Sequence, residues 1–510
     1  MNPATVYLIG AGPGDPSLIT VRGQRRIEEA DVVIHDHLVH RRLIETARPD
    51  AERIDVGAAA PEPGDQDAIN ILLADKAREG RTVARLKWGD PFLFAAGGKE
   101  ALFLHEHGIP FEVVPGVPAA PAGAAFAGIP LTYPEAGDTL IFIRGQGVGA
   151  GVPPDVDWSR VAALPATVVS HASIPQIGAI VDALLAHGRS PEEPAALVTG
   201  GTLPRQRTSA GTLGELRDVV QRERSVEPAL LVAGAVVGLR QYLRWFDARP
   251  LFGKRVLVTR AREQAGDLVD RLSELGADPI EAPAIRTVPP EDPAPIEAAC
   301  AAASSFDWIV FTSANAVDAF MDRLLAGPRD ARALGGVRLC AVGPATASRL
   351  ARRGLHVDLV PAEHRAEAVS TALGREHDVR GARILLPRAD LAGALLPKEL
   401  RRAGAEVVEV TAYRTVPAPP PPDVDVYRLL LDQGIDVVTF TSASAARNLV
   451  KSLGEEPAAD LLGTTLVACI GPVTAEAARQ LGIETAIMPS TYTAPALAQA
   501  IADYFATHRD

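Results

Sequence analysis

Short apolar runs that empty into glycine, proline, serine or aspartate recur along the whole chain, and they predict buried strands followed by loops and helices. Val6-Tyr7-Leu8-Ile9 runs into Gly10-Ala11-Gly12-Pro13-Gly14-Asp15-Pro16, after which Ser17-Leu18-Ile19-Thr20 opens a helix. Ala30-Asp31-Val32-Val33-Ile34-His35 ends at Asp36, where open α/β sheets carry their chemistry. The run 81–87 leads to Trp88-Gly89-Asp90-Pro91, and Phe111-Glu112-Val113-Val114 leads to Pro115-Gly116-Val117. Read as a dinucleotide fingerprint the first glycine loop fails, because Pro13 and Gly14 break the glycine spacing; alone it reads as a tight turn.

The second half repeats itself. Phe311-Thr312-Ser313-Ala314-Asn315-Ala316 has a near-copy in Phe440-Thr441-Ser442-Ala443-Ser444-Ala445, each preceded by an apolar run opened by an aspartate, Asp307 or Asp436. Gly343 and Gly471, each in a Gly-Pro-x-Thr-Ala stretch, stand 128 positions apart, as do Arg260 and Arg388, and Arg286 and Arg414; the phenylalanines stand 129 apart. Matches in this order predict a duplicated strand-loop-helix unit, with two doubly wound sheets as the solution that buries its faces. The run Pro417-Ala418-Pro419-Pro420-Pro421-Pro422 predicts a stiff connector.

Composition narrows the picture little. At 510 residues, with 47% hydrophobic and 22% charged residues, the chain reads as three or four globular domains. Its longest apolar stretch, 229–238, falls short of the roughly 20 residues that span a bilayer and reads as a core strand. No signal peptide is expected at the N-terminus. Three cysteines without metal-like spacing point to a reducing cytoplasm. The histidines form no metal-ligand cluster, so no metal is assigned. A net charge of −12 argues against a nucleic-acid-coating surface but leaves room for an anionic small substrate held by arginines and helix N-termini.

The motifs GAGPGDP (10–16), ADVVIHDHLV (30–39), RLKWGDPFLF (85–94), GIPFEVVPGV (108–117), AGIPLT (127–132) and QYLRWF (241–246) make residues 6–246 resemble the tetrapyrrole methylases, within them the uroporphyrinogen-III C-methyltransferases. The resemblance implies an α/β fold of two subdomains around a cleft that binds S-adenosylmethionine, with Asp36 as general base. It places Pro13, Gly89, Asp90, Leu93, Pro118, Ala119, Ala172 and Gly201 at the cofactor, and implies a homodimer. Five departures fall in that cleft. Trp88 stands for a glycine, Ala58 for a lysine, Ala95-Ala96 break a Gly-Arg-Gly-Gly run, Tyr133-Pro134 replace a His-Arg pair, and His171-Ala172-Ser173 replace Tyr-Met-Gly. Together they predict lost or altered methyl transfer, with Trp88 either filling the cofactor pocket or pointing elsewhere.

VLVTRAREQA (256–265), VFTSANAV (310–317), CAVGPATA (340–347), LPRAD (386–390), VTAYRT (410–415), TFTSASAARN (439–448) and CIGPVTA (469–475) make residues 254–505 resemble uroporphyrinogen-III synthase. The expected layout is a methylase-like domain at 1–246, a linker at 247–253 and a synthase domain at 254–510. The resemblance implies one synthase lobe of 254–286 with 414–510, another of 287–413, two crossing strands between them, no cofactor, and hydroxymethylbilane as substrate. That substrate is an open-chain tetrapyrrole with eight carboxylates.

Tyr413 is the candidate for direct chemistry, because a phenol can protonate the departing hydroxyl without adding charge beside a cation. Thr312, Ser313, Thr441 and Ser442 either present amides to substrate carboxylates or simply cap helices. Gly343, Gly471 and the neighbouring Thr474 allow close backbone approach or form plain turns. Arg260 and Arg388 pair with substrate acetates and propionates or with surface carboxylates. Read whole, the chain is expected to be a synthase fused to a methylase-like half whose methyl transfer is lost or altered. The alternatives are a bifunctional methyltransferase and synthase, or a two-lobed sensor of an anionic ligand.

Overall fold

The computed structural model describes residues 4–59, 65–145, 151–223, 228–260, 262–361, 366–376, 378–390, 392–419 and 424–508. The side chain of Ala58 and Pro420 to Pro422 of the expected connector lie outside them. Contacts cluster the chain into two units, Met1–Lys254 with Ser273–Asp278, and Arg255–Leu272 with Pro279–Asp510. No helix among the described residues is long and apolar enough to cross a membrane.

In the first unit the early apolar runs become β1 (Val6–Gly10), β2 (Val32–His35), β3 (Glu52–Asp55), β4 (Val83–Lys87) and β5 (Phe111–Val114), a parallel sheet ordered β3-β2-β4-β1-β5. A mixed sheet follows, built from β6 (Leu140–Arg144), β7 (Thr167–Ala172), β8 (Pro194–Thr199), β9 (Arg207–Thr212) and β10 (Ala229–Ala233) in the order β6-β7-β10-β8-β9. β10, buried along its whole length, is the core strand of the long apolar stretch. Residues 247–253 pack instead of hanging free: Leu251 is buried, Phe252 meets Phe246 edge to face, and Asp247 is ion-paired with Arg240. Their apolar members have surface to bury there.

The second unit holds β11 (Arg255–Val258), β12 (Asp278–Glu281), β13 (Ile285–Val288), β14 (Trp308–Phe311), β15 (Arg338–Ala341), β16 (Arg383–Ala389), β17 (Glu406–Pro417), β18 (Val437–Phe440) and β19 (Leu466–Cys469). They form two sheets, β12-β11-β18-β19 and β13-β17-β16-β14-β15. By the 128-residue offset, β12, β11, β18 and β19 answer to β17, β16, β14 and β15. Each sheet therefore takes two of these strands from each copy of the repeat, and the second sheet adds β13 from the first copy. Alternate residues of the second sheet bury on opposite faces: Ile309, Phe311, Leu339 and Leu385 enter one core cluster, Trp308, Val310, Cys340 and Ile384 the other. Burial on both faces is why these strands read as continuous apolar runs.

Two details hold the exchanged strands together. β13 and the end of β17 pair antiparallel with Thr287 opposite Thr415, Arg286 opposite Val416 and Val288 opposite Arg414, so a local twofold axis passes between equivalent threonines. The aspartates that open β14 and β18 also bind across the copies. Asp307 Oδ2 accepts the Arg383 amide at 2.8 Å, and Asp436 Oδ2 accepts the Arg255 amide at 2.8 Å. Each carboxylate thus ties the head of a strand from one copy to its neighbour from the other.

Hydrogen bonds to charged acceptors contribute about 1.5–3 kcal/mol when shielded and less at the surface. Asp436→Ala is expected to lower the guanidinium midpoint of the second unit by the equivalent of about 1–3 kcal/mol. The more exposed Asp307→Ala should cost less. Equal midpoints for wild type and Asp436→Ala would remove this tie from the account.

Candidate functional site

In the first unit the loops after β1, β4 and β5 interlock at the ends of the strands. Gly89 donates to the Gly12 carbonyl at 2.8 Å and Ala11 to the Lys87 carbonyl at 2.8 Å. A Cβ on Gly10 would stand 2.4 Å from Gly116 Cα, so only glycine lets these backbones meet. Asp90 fastens the arrangement: Oδ1 accepts the Phe92 and Leu93 amides at 2.8 and 3.1 Å, and Oδ2 accepts the Gly116 amide at 3.0 Å.

Two neighbouring cavities open beside these loops. The larger, about 390 Å³, is lined by Gly89, Asp90, Leu93, Pro118, Ala119 and Ala172. The smaller, about 60 Å³, is lined by Pro13, Ala119 and Gly201. All eight residues expected at a cofactor thus border one cavity or the other, and Ala119 borders both. Trp88 and His171 line both cavities and lie between them. The Trp88 indole N–H donates to the Pro13 carbonyl at 3.0 Å, and its ring lies 4.9 Å from that of His171. Burial pushes the His171 imidazole down to about 4, leaving an uncharged ring against the indole at neutral pH. Trp88 therefore points into the cleft and partitions it.

Asp36 borders the larger cavity, although its carboxylate is already engaged. Oδ1 meets Arg85 Nη2 at 2.5 Å, and Oδ2 accepts the Trp88 amide at 3.0 Å. Burial alone would raise its pKa; Arg85, Lys87 and the amide outweigh that and hold the carboxyl below its usual range. An acid held ionised in this way is a weak general base. Behind it, Glu100 Oε1 meets Arg85 Nε at 3.2 Å and Lys87 Nζ at 2.9 Å, all three side chains being almost wholly buried. Sequence reasoning missed this network. Its only signal was charge at alternate positions of an otherwise apolar strand, Arg85 and Lys87.

In the second unit the candidate residues divide between the strand ends of the two sheets. Thr259-Arg260 follow β11, Thr441-Ser442 follow β18, and Gly471 follows β19. Thr312-Ser313, Gly343 and Arg388 stand at the equivalent places of the other sheet. Ser313 and Ser442 cap the helices Ala314–Ala326 and Ala443–Leu453, their Oγ atoms accepting the Ala316 and Ala445 amides at 3.2 Å each. Gly343 and Gly471 precede the helices Pro344–Arg352 and Pro472–Gln480 without side-chain caps. A Cβ on Gly471 would stand 3.2 Å from the ring of Tyr492. Thr474 is buried in the first turn of its helix.

The two arginines part company. Arg388 is buried, with Nη1 on Glu409 at 2.7 Å and Nη2 on the Gly393 carbonyl, so its fork is taken up inside the protein. Arg260 is partly buried; burial lowers its pKa while Asp267 pulls it partway back. Tyr413 follows a bulge in β17. Arg388 faces Thr411 and Ala389 faces Tyr413, leaving Ala412 without a partner and re-aiming the tyrosine. Its hydroxyl lies 3.1 Å from Ser313 Oγ, and its side chain borders a cavity of about 530 Å³.

Comparison with known proteins agrees with this division. The family described as Tetrapyrrole (Corrin/Porphyrin) Methylases matches residues 5–217, and that described as Uroporphyrinogen-III synthase HemD matches residues 266–499. The porphyrin biosynthesis protein HemD of Ruminiclostridium josui is 34% identical over 488 residues, 95% of both chains. The uroporphyrinogen-III C-methyltransferase of Bacillus subtilis is 34% identical over 74% of this chain and 77% of its own. A crystal structure of uroporphyrin-III-C-methyltransferase from Thermus thermophilus, 37% identical, covers 49% of this chain and 99% of its own with a TM-score of 0.40. Carrying both signatures in order and matched nearly end to end by such a relative, the chain belongs to the family of porphyrin-biosynthesis proteins in which a tetrapyrrole methylase domain precedes a uroporphyrinogen-III synthase domain.

Proposed function

We propose that the second unit closes hydroxymethylbilane to uroporphyrinogen III. The observation that carries this reading is Tyr413, turned by the bulge at Ala412 toward a cavity and joined to the helix-capping Ser313 at 3.1 Å. The phenol donates its proton to the departing hydroxyl, which leaves as water and gives an azafulvene cation. The cationic carbon bonds to the substituted α-carbon of ring D, and the bond from that carbon to the bridge with ring C breaks. The bridge rejoins ring D at its free α-carbon, which inverts the ring, and the proton lost from that carbon returns to the phenolate. One water is released and nothing is oxidised. Closure without inversion happens unaided, so holding the chain in the right shape is the larger demand. Helix N-termini after Ser313, Gly343, Ser442 and Gly471 offer amides to the carboxylates.

The first unit, in this reading, keeps the methylase fold without methylating. S-adenosylmethionine spanning the residues expected to hold it needs the space that the Trp88 ring fills between the two cavities. The ionised, hydrogen-bonded Asp36 is also poorly suited to take a proton.

Incubated with hydroxymethylbilane, the protein should give the type III isomer above the spontaneous type I product, and exclusive formation of type I would end the synthase reading. Tyr413→Phe should lower kcat by about 10²–10⁴-fold with KM kept, the range for loss of one proton donor; an unchanged kcat would retire the phenol. Calorimetry with S-adenosylmethionine should show little binding to the wild type. Trp88→Gly should tighten it at least about tenfold, or 1.4 kcal/mol. Tight binding by the wild type, unchanged in Trp88→Gly, would show that the indole does not obstruct the site.

A further inference from the structure

The wall of the cavity that Tyr413 borders also carries a compact group of opposite charges. Asp318 on the helix Ala314–Ala326 accepts Arg349 Nη2 and Nε on one oxygen, at 2.6 and 2.8 Å, and Arg353 Nη2 on the other at 2.9 Å. The same Arg353 nitrogen reaches Asp322 at 2.7 Å. Arg349 and Arg353 are four residues apart, on one face of the helix Pro344–Arg352 and its last turn. Both remain about one-third exposed, at 32% and 29%.

We propose that Arg349 and Arg353 bind two carboxylates of the tetrapyrrole substrate, and that Asp318 occupies their place while the cavity is empty. The inference rests on the synthase reading and names the groups that would recognise the polyacid. Guanidinium forks match carboxylates two bonds at a time. Ion pairs this close to water are worth little, so exchanging an aspartate for a substrate acetate or propionate costs little. Val288, Pro289 and Ile296 add apolar wall suited to a pyrrole ring, and Thr287, Asn315 and Arg323 also border the cavity.

The repeat supplies an internal control. In the other copy, Arg349 and Arg353 answer to Ala477 and Leu481, while Asp318 and Asp322 answer to Arg447 and Lys451. Yet the helices Ala443–Leu453 and Pro472–Gln480 still pack together. The fold thus assembles this helix pair without such a cluster, and the charges appear in the copy whose cavity Tyr413 borders.

The test compares Asp318→Asn with Arg349→Gln and Arg353→Gln in the full-length protein. Kinetics with hydroxymethylbilane and fluorescence titration with uroporphyrin III, which needs no turnover, are read side by side. With the competing carboxylate gone, Asp318→Asn should lower KM and the uroporphyrin Kd severalfold. Each arginine variant should raise both about tenfold with kcat held, and Arg349→Lys should recover part of the loss. A mere clip between helices predicts lower thermal stability in all variants and no opposite movement of KM. Asp318→Asn that weakens binding or leaves it unchanged, or Arg349→Gln that binds like wild type, overturns the proposal. Wild type that binds uroporphyrin but forms only the type I isomer fails the synthase reading, and the titrations still decide the arginines.

Discussion

The second unit depends on an exchange of strand pairs between two copies of one sequence. Neither copy completes a sheet alone: β11 and β12 lie beside β18 and β19, and β16 and β17 lie beside β14 and β15. Burial on both faces makes the exchange worth keeping, since every central strand loses apolar surface from water twice over. The carboxylates of the aspartates that open β14 and β18 bind across the copies, and β13 with the end of β17 fixes the register at the crossing.

That constraint explains what could be read beforehand. The 128-residue offset is a property of strands and caps, which the shared fold preserves, so the paired elements were visible from Phe311 and Phe440 or Gly343 and Gly471. The bulge at Ala412 was hidden, because a single extra residue in a strand leaves the apolar pattern intact while turning the next side chain. The sequence leaves Arg388 open to a substrate carboxylate or to one of the protein's own; only tertiary structure brings Glu409 beside it. Arg349, Arg353 and Asp318 carry little signal of their own in the sequence, because they sit on or at the end of helices, where charge is usually solvated. The signal that could have found them was disagreement between the copies at those positions.

In the first unit, close approach of backbones at Gly10 and Gly116 was legible as a glycine pattern, and its consequence at Trp88 was half legible. The sequence marked a large side chain where a glycine was expected. Only the structure shows the indole bonded to Pro13 and lying against a neutral His171. The Arg85, Lys87 and Glu100 network could not be anticipated, because its acid comes from a helix ten residues beyond the strand.

The near-twofold axis between Thr287 and Thr415 carries a consequence for the reaction proposed. A linear tetrapyrrole has a head and a tail, and a receptor with identical halves would accept it in either direction. Tyr413 answers to Ile285 across that axis, as Arg349 answers to Ala477. In the proposed reaction, divergence between the copies would give the site polarity, letting a doubled scaffold distinguish the terminal ring that must flip from the one that must stay.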